Sequence, residues 1–243
     1  MAAIFNAGTA GKCKPTATVA PSGQVAWFAG DGNANDIAGT NNGTLLNGAG
    51  FAVGRVSQSF SFDGVDDVVE IPDSPSFDFG TNEISVGAWI MPTTDSTLQL
   101  RGIIDQYNDQ QATFLFALGS ADVSGSRQGK FFVYGDSTGF VYKGIITITR
   151  IQPNTFTHVA AAYKQSTQEI KFYINGVETA TTPEPGSVNL ATIFNAALPV
   201  HIGRTSSATS APFAGLIDEP SLYNRALTDA EITSIVSRNR RKT

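Results

Sequence analysis

Apolar and polar residues alternate with a period of two in several segments of this chain, the signature of half-buried strands. The run Glu83-Ile-Ser-Val-Gly-Ala-Trp-Ile90 is the cleanest case, placing Ile84, Val86, Ala88 and Ile90 on one face. Glu169–Ile174, Asn175-Gly176 and Val177–Thr181 read as a hairpin, with Ile170, Phe172 and Ile174 facing the core. The two-residue Asn-Gly turn suits this, because both positions need positive φ. Further strands are expected at Gln24–Phe28, Thr44–Leu46, Ser57–Asp63, Val68–Ile71, Gly102–Asp105, Thr113–Leu118 and Lys130–Tyr134. The series continues with Phe140–Thr149, His158–Tyr163, Val200–Gly203 and Gly215–Glu219, the last extending through Ser221–Asn224.

The period changes once. Thr228-Asp-Ala-Glu231 forms a capping box, and Ile232, Ile235 and Val236 then make the apolar stripe of a short helix. Many strands, one late helix and no strand–helix–strand alternation predict an all-β fold of two packed antiparallel sheets. At 243 residues and 41% hydrophobic content, one large domain is expected over residues 24–238. Residues 1–23 read as a leader or linker, with Ala2–Ala7 as one helical turn, and 239–243 as a basic tail.

Charge and composition narrow the function. Only 15% of residues are charged and the net charge is −5. Basic residues cluster only in the short tail Arg238–Lys242, which argues against nucleic acid as a partner. No apolar run is long enough to insert in a membrane, and the first residues lack a signal-peptide pattern. A single cysteine, Cys13, rules out an internal disulfide.

Several segments together resemble the laminin-G-like domains of the concanavalin A-like lectin/glucanase superfamily. They are Val25–Phe28 with the acidic loop Asp31–Asp36, the stretch Gly54–Asp67, Ile84–Ile90, Phe156–Ala160, Phe172–Gly176, Ile202-Gly203 and Phe213–Leu227 with its capped helix. The resemblance covers roughly residues 24–238 and implies a jelly-roll sandwich. Thr157 and Pro220 depart from the family pattern, and Pro220 suggests an edge or a bulge. The leader segment Ala3–Gly8 resembles the end of the family's closing helix, as if a preceding copy lay upstream in a tandem array; an unrelated linker reads equally well.

Three chemistries remain. Asp31, Asn33, Asn35 and Asp36 offer hard oxygen ligands in a glycine-containing loop, and the resemblance implies that this loop approaches Asp218. A structural calcium ion is therefore expected at Asp31, Asn35, Asp36 and Asp218; an Asx-rich turn bonding its own backbone is the alternative. Asp63, Asp66 and Asp67 form a second acidic turn, a weaker metal candidate that reads first as a fixture of its strand pair. For carbohydrate, the expected contacts are Tyr107, Asn108, Asp109, Gln111, Tyr134, Tyr142 and Arg204, aromatics for sugar-ring stacking and polar groups for hydroxyls. Trp27 and Trp89 read as core packing.

Catalysis finds little support. The chain lacks the Glu-x-Asp-x-x-Glu run of glucanases on this fold, and Asp218 and Glu219 are adjacent, so on a regular strand they would face opposite ways. His158 and His201 read as hydrogen-bonded strand histidines, although His201 with Arg204 resembles part of a lyase site. The expected protein is a non-catalytic glycan-binding or adhesion module of a larger exported bacterial protein, acting at the cell surface or outside it. Its expected partner is a glycan or a cell-surface or matrix protein. A structural spacer is the second reading and a polysaccharide-cleaving enzyme the third.

Overall fold

The computed structural model describes residues 20–80, 83–94, 99–138, 141–206 and 212–239. The leader's helical turn, Cys13, Phe140 and the last residues of the tail lie outside them.

Among the described residues, sixteen strands form two sheets of eight. The first sheet runs β13 (Val177–Glu178), β12 (Glu169–Ile174), β11 (Thr157–Lys164), β6 (Ile84–Pro92), β16 (Ala214–Tyr223), β4 (Gln58–Asp63) and β3 (Gly50–Val53), with β1 (Gln24–Trp27) also pairing with β16. The second runs β14 (Thr181–Pro183), β10 (Tyr142–Ile151), β9 (Arg127–Tyr134), β8 (Ala112–Ala121), β7 (Arg101–Tyr107), β15 (Val200–Ile202), β5 (Val68–Ile71) and β2 (Thr44–Leu46). Every pairing within the two sheets is antiparallel. The architecture is the sandwich that the alternation and the resemblance implied.

The sheets close on one apolar layer. Phe60, Phe62, Ile84, Val86, Ile90, Phe172 and Ile217 from the first sheet meet Ile104, Phe114, Phe116, Phe131, Val133 and Ile202 from the second. Phe116 is the hub, with ring centroids 5.9 Å from Phe131 and 5.6 Å from Phe172. Gly129 makes room for this packing, since a Cβ there would lie 2.3 Å from the Phe172 ring.

The expected hairpin is present: Asn175 and Gly176 take φ of 54° and 83°. Its second strand is shorter than the alternation suggested. β13 ends at Glu178, and the chain crosses to the second sheet, where Thr181–Pro183 pairs with β10 as β14. Gly50–Val53, a strand not expected from the sequence, pairs with β4. Pro220 sits at a register break between Asp218 and Ser221, beside Glu219 at φ 55°. It is a bulge, and the freed Pro220 carbonyl accepts the Phe28 N–H at 3.0 Å.

The helix α1 (Asp229–Asn239) starts as the capping box requires. Thr228 N donates to Glu231 Oε2 at 2.9 Å, and Glu231 N to Thr228 Oγ1 at 3.3 Å. Ile232 packs with Ala160, Ala162, Tyr173 and Tyr223 on the outer face of the first sheet. That leaves the outer face of the second sheet without a covering helix among the described residues.

Candidate functional site

Alternation along β9 separates two environments. Phe131 and Val133 join the central core, whereas Phe132 and Tyr134 join Ala112, Leu115 and Ala117 in a distinct cluster on the opposite face. Tyr107 and Tyr142 pack against that cluster. Its rings form a continuous set: Tyr134 lies 5.7 Å from Tyr107, 6.1 Å from Tyr142 and 6.3 Å from Phe132, measured between centroids. Gly144 permits this, because a Cβ there would meet the Phe132 ring at 2.4 Å.

A polar row crosses the same face, since directly paired residues share a side. Glu70 pairs with His201, His201 with Asp105, Asp105 with Leu115, and Leu115 with Phe132. His201 is hydrogen-bonded on both sides, 3.3 Å from Glu70 Oε2 and 3.3 Å from Ser206 Oγ, as a strand histidine was expected to be. Burial, outweighing Glu70, holds its pKa below the ordinary value, and the nearby Arg204 charge pushes the same way. Asp105 is fully buried and neither carboxyl oxygen has a hydrogen-bond partner. Burial drives its pKa well above the aspartate range; the Tyr107 N–H opposes this without reaching hydrogen-bond geometry. Burial, with the charges of Asp109 and Asp105, also raises the Tyr107 phenol, and burial raises that of Tyr134.

Of the seven residues expected to bind carbohydrate, the three tyrosines lie on this face. Tyr107, Tyr134 and Tyr142 form its aromatic row. Asn108 Oδ1 is committed to its turn, accepting from Gln110 N at 2.8 Å and Gln111 N at 2.7 Å. An isolated bridge from Asn108 to Ser206 brings the Arg204–Ser206 segment beside that turn. Asp109 stays close enough to act on the Tyr107 phenol. Asp105, Phe132 and Leu115 were missed because each sits in an apolar run that reads as core; the lone carboxylate ending Gly102–Asp105 was the available signal.

The four expected calcium ligands do not gather at one point. Asp36 is a loop staple: Oδ1 accepts from Trp27 N and Ala38 N at 3.0 Å each, and Oδ2 from Asn41 N at 3.1 Å and Asn41 Nδ2 at 3.0 Å. Four donors thus already occupy its two oxygens. Asn35 is exposed, and its N–H bonds Asn33 Oδ1 at 2.9 Å, an ordinary Asx turn. Asp31 and Asp218 do converge, on the turn before β4. Asp31 Oδ1 accepts from Gln58 N at 2.9 Å, and Asp218 Oδ2 from Val56 N at 2.8 Å. The second Asp218 oxygen is buried and unpartnered. Burial first, then the Glu219 and Asp31 charges, raise this carboxyl to about 7. An orphaned carboxylate oxygen beside a second carboxylate fits a hard cation, so the two-residue part of the set suits calcium.

Both tryptophans lie on the outer face of the first sheet. Trp89 is buried, with its centroid 5.3 Å from His158 and the Arg55 guanidinium 5.2 Å from its ring centroid. Trp27 is only half-buried, and its Nε1 donates to Glu219 Oε2. Core packing thus describes Trp89 in burial only, and Trp27 not at all.

No curated protein sequence matches the chain. Solved structures that share the fold include the binding domain of Paraclostridial Mosquitocidal Protein 1, at 16% identity and a TM-score of 0.69 over 89% of this chain and 52% of that one. Domain 4 of AbnA, a GH43 extracellular arabinanase from Geobacillus stearothermophilus, solved with arabinotriose, matches at 21% identity and 0.61 over 88% and 98%. The botulinum neurotoxin serotype D ligand-binding domain, solved with N-acetylneuraminic acid, matches at 13% and 0.62 over 89% and 51%. The chain spans about half the length of the toxin domains. A laminin-G family model described as the Concanavalin A-like lectin/glucanases superfamily matches residues 63–233. The chain belongs to that superfamily.

Proposed function

We propose that this protein is a non-catalytic glycan-binding module, with the outer face of the second sheet as its binding surface. The observation that carries the reading is the joined aromatic row of Tyr107, Tyr134 and Tyr142, bordered by the Asn108–Gln111 turn and Arg204. Tyr107 and Tyr142 are partly exposed and rest on the buried Tyr134 ring, so a sugar stacking on them orders little that is not already fixed, and the polar border supplies hydroxyl partners. The arabinanase domain and the neurotoxin domain, each solved with a saccharide, support a glycan as the partner. Within this reading, calcium held by Asp31 and Asp218 with backbone carbonyls fixes the loops at the start of β4, and the module works outside the cell as part of an exported protein.

The test is a glycan array with the intact chain, repeated with Tyr142→Ala and with chelator. Tyr142 is at the partly exposed edge of the row, so its loss should leave the fold intact. We expect binding to weaken by about 2- to 10-fold, the worth of one aromatic contact. Absence of binding to every glycan would favour the spacer reading, and release of products from a polysaccharide panel would overturn the non-catalytic one.

A further inference from the structure

The turn between β4 and β5 carries an acidic group that neither the glycan face nor the Asp31–Asp218 pair uses. One carboxylate oxygen from each of Asp63, Asp66 and Asp67 lies within 4.8 Å of the others. Asp63 and Asp66 are exposed, whereas Asp67 is 3% exposed. The backbone holds them in place. Gly64 takes φ 83°, Val65 N donates to Asp63 Oδ1 at 2.8 Å, and Asn47 Nδ2 donates to the Asp66 carbonyl at 2.9 Å.

Asp67 supplies the observation that points to a ligand. Its Oδ2 accepts the Asp63 N–H at 2.8 Å, but its Oδ1 is buried with no partner. A buried, unpartnered carboxylate oxygen beside two other carboxylates is costly unless something positive occupies the group.

We propose that this turn is a second divalent-cation site, in which the carboxylates of Asp63, Asp66 and Asp67 hold calcium. Oxygens on opposite sides of a calcium ion lie about 4.6–5.2 Å apart, twice the usual bond length, so the three donors need little movement to reach one ion. Three hard oxygens with two exposed members leave the remaining positions to water. The site is at the far end of β4 from the Asp31–Asp218 position: Gln58 begins the strand and Asp63 ends it, a span of about 17 Å. Bound calcium would pin the Asp66 turn to the β2–β3 connection through Asn47.

The experiment is calcium titration calorimetry on the intact, chelator-stripped chain at pH 7, with Asp66→Asn and Asp31→Asn as single variants. Both aspartates are exposed, so both variants should fold. We expect Asp31→Asn to retain one calcium equivalent, and Asp66→Asn to weaken one binding class at least 10-fold, the class that Asp31→Asn leaves in place. A second variant, Asp63→Asn, should do the same. Calcium binding that disappears in Asp31→Asn, or is unchanged by both Asp63→Asn and Asp66→Asn, would overturn the proposal and leave the group sharing a proton only. Failure of glycan binding would not bear on it, because the readout is the ion.

Discussion

His158 should make this protein lose stability in mild acid. Its side chain is 3% exposed, against Trp89, and its Nδ1 has no hydrogen-bond partner. It is therefore a strand histidine, as the alternation suggested, but one with an unmet polar atom. Burial lowers its pKa from 6.5 to about 3. A depressed histidine is neutral in the folded chain while the unfolded chain has already taken up its proton. Stability from this group is complete above pH 6.5 and falls as pH drops toward 3. The slope approaches about 1.4 kcal/mol per unit below pH 6.5, and the loss between pH 7.5 and 4.5 is about 2.7 kcal/mol in all. The assay is urea unfolding of the wild type and His158→Gln across pH 4.5–7.5. Other titrating groups act on both chains, so their difference isolates the imidazole. We expect the wild-type advantage to shrink, or the variant's deficit to disappear, by about 2–3 kcal/mol as pH falls. A difference that stays constant across this range would refute the reasoning.

Glu231→Ala should cost about 1–2 kcal/mol in urea unfolding, since it removes half of the capping box and the partner of Arg225. The Arg225 guanidinium is the chief cause holding Glu231 at about 2, so the deficit should be full above pH 4.5 and fade as pH falls toward 2. Gly129→Ala would press a methyl into the Phe172 ring and should destabilise by about 1–3 kcal/mol, measured in the same way. Calcium at ten times its dissociation constant should stabilise the wild type by about 1.4 kcal/mol per occupied site in thermal unfolding. Asp218→Asn should abolish the share due to the Asp31–Asp218 position.

The sandwich was legible because each buried strand repeats the same signal many times. Ile84–Ile90 and Ile170–Ile174 each place three or more apolar side chains on one face, and a local exception does not hide such a pattern. Strands that contribute few contacts left weaker traces. Gly50–Val53 is an edge strand with a partly exposed face, so its residues carry little periodicity. The path from β13 to β14 defeated the alternation for another reason. Val177–Thr181 continues in β-type residues, yet the chain leaves one sheet and joins the other, a tertiary event that the period of two does not encode.

The acidic residues show why fold signals outran site signals. Asp36, Asp105 and Asp218 all sit in turn or strand patterns, and residue type alone ranks them together as ligands. Their differences lie in what reaches each oxygen. Asp36 collects four N–H donors from its own loop and from Trp27, so its charge is already compensated. Asp105 collects none and is pushed toward its neutral form beneath the tyrosines. Asp218 stands between them, with one oxygen held by Val56 and the other unmet beside Asp31. The donors come from segments as distant as β1 and the turn before β4, so spacing along the chain could not have sorted these three carboxylates. The sandwich sorts them. A carboxylate saturated by N–H groups holds a loop, one with none is pushed toward its neutral form, and one left half-satisfied beside another acid keeps an unmet charge.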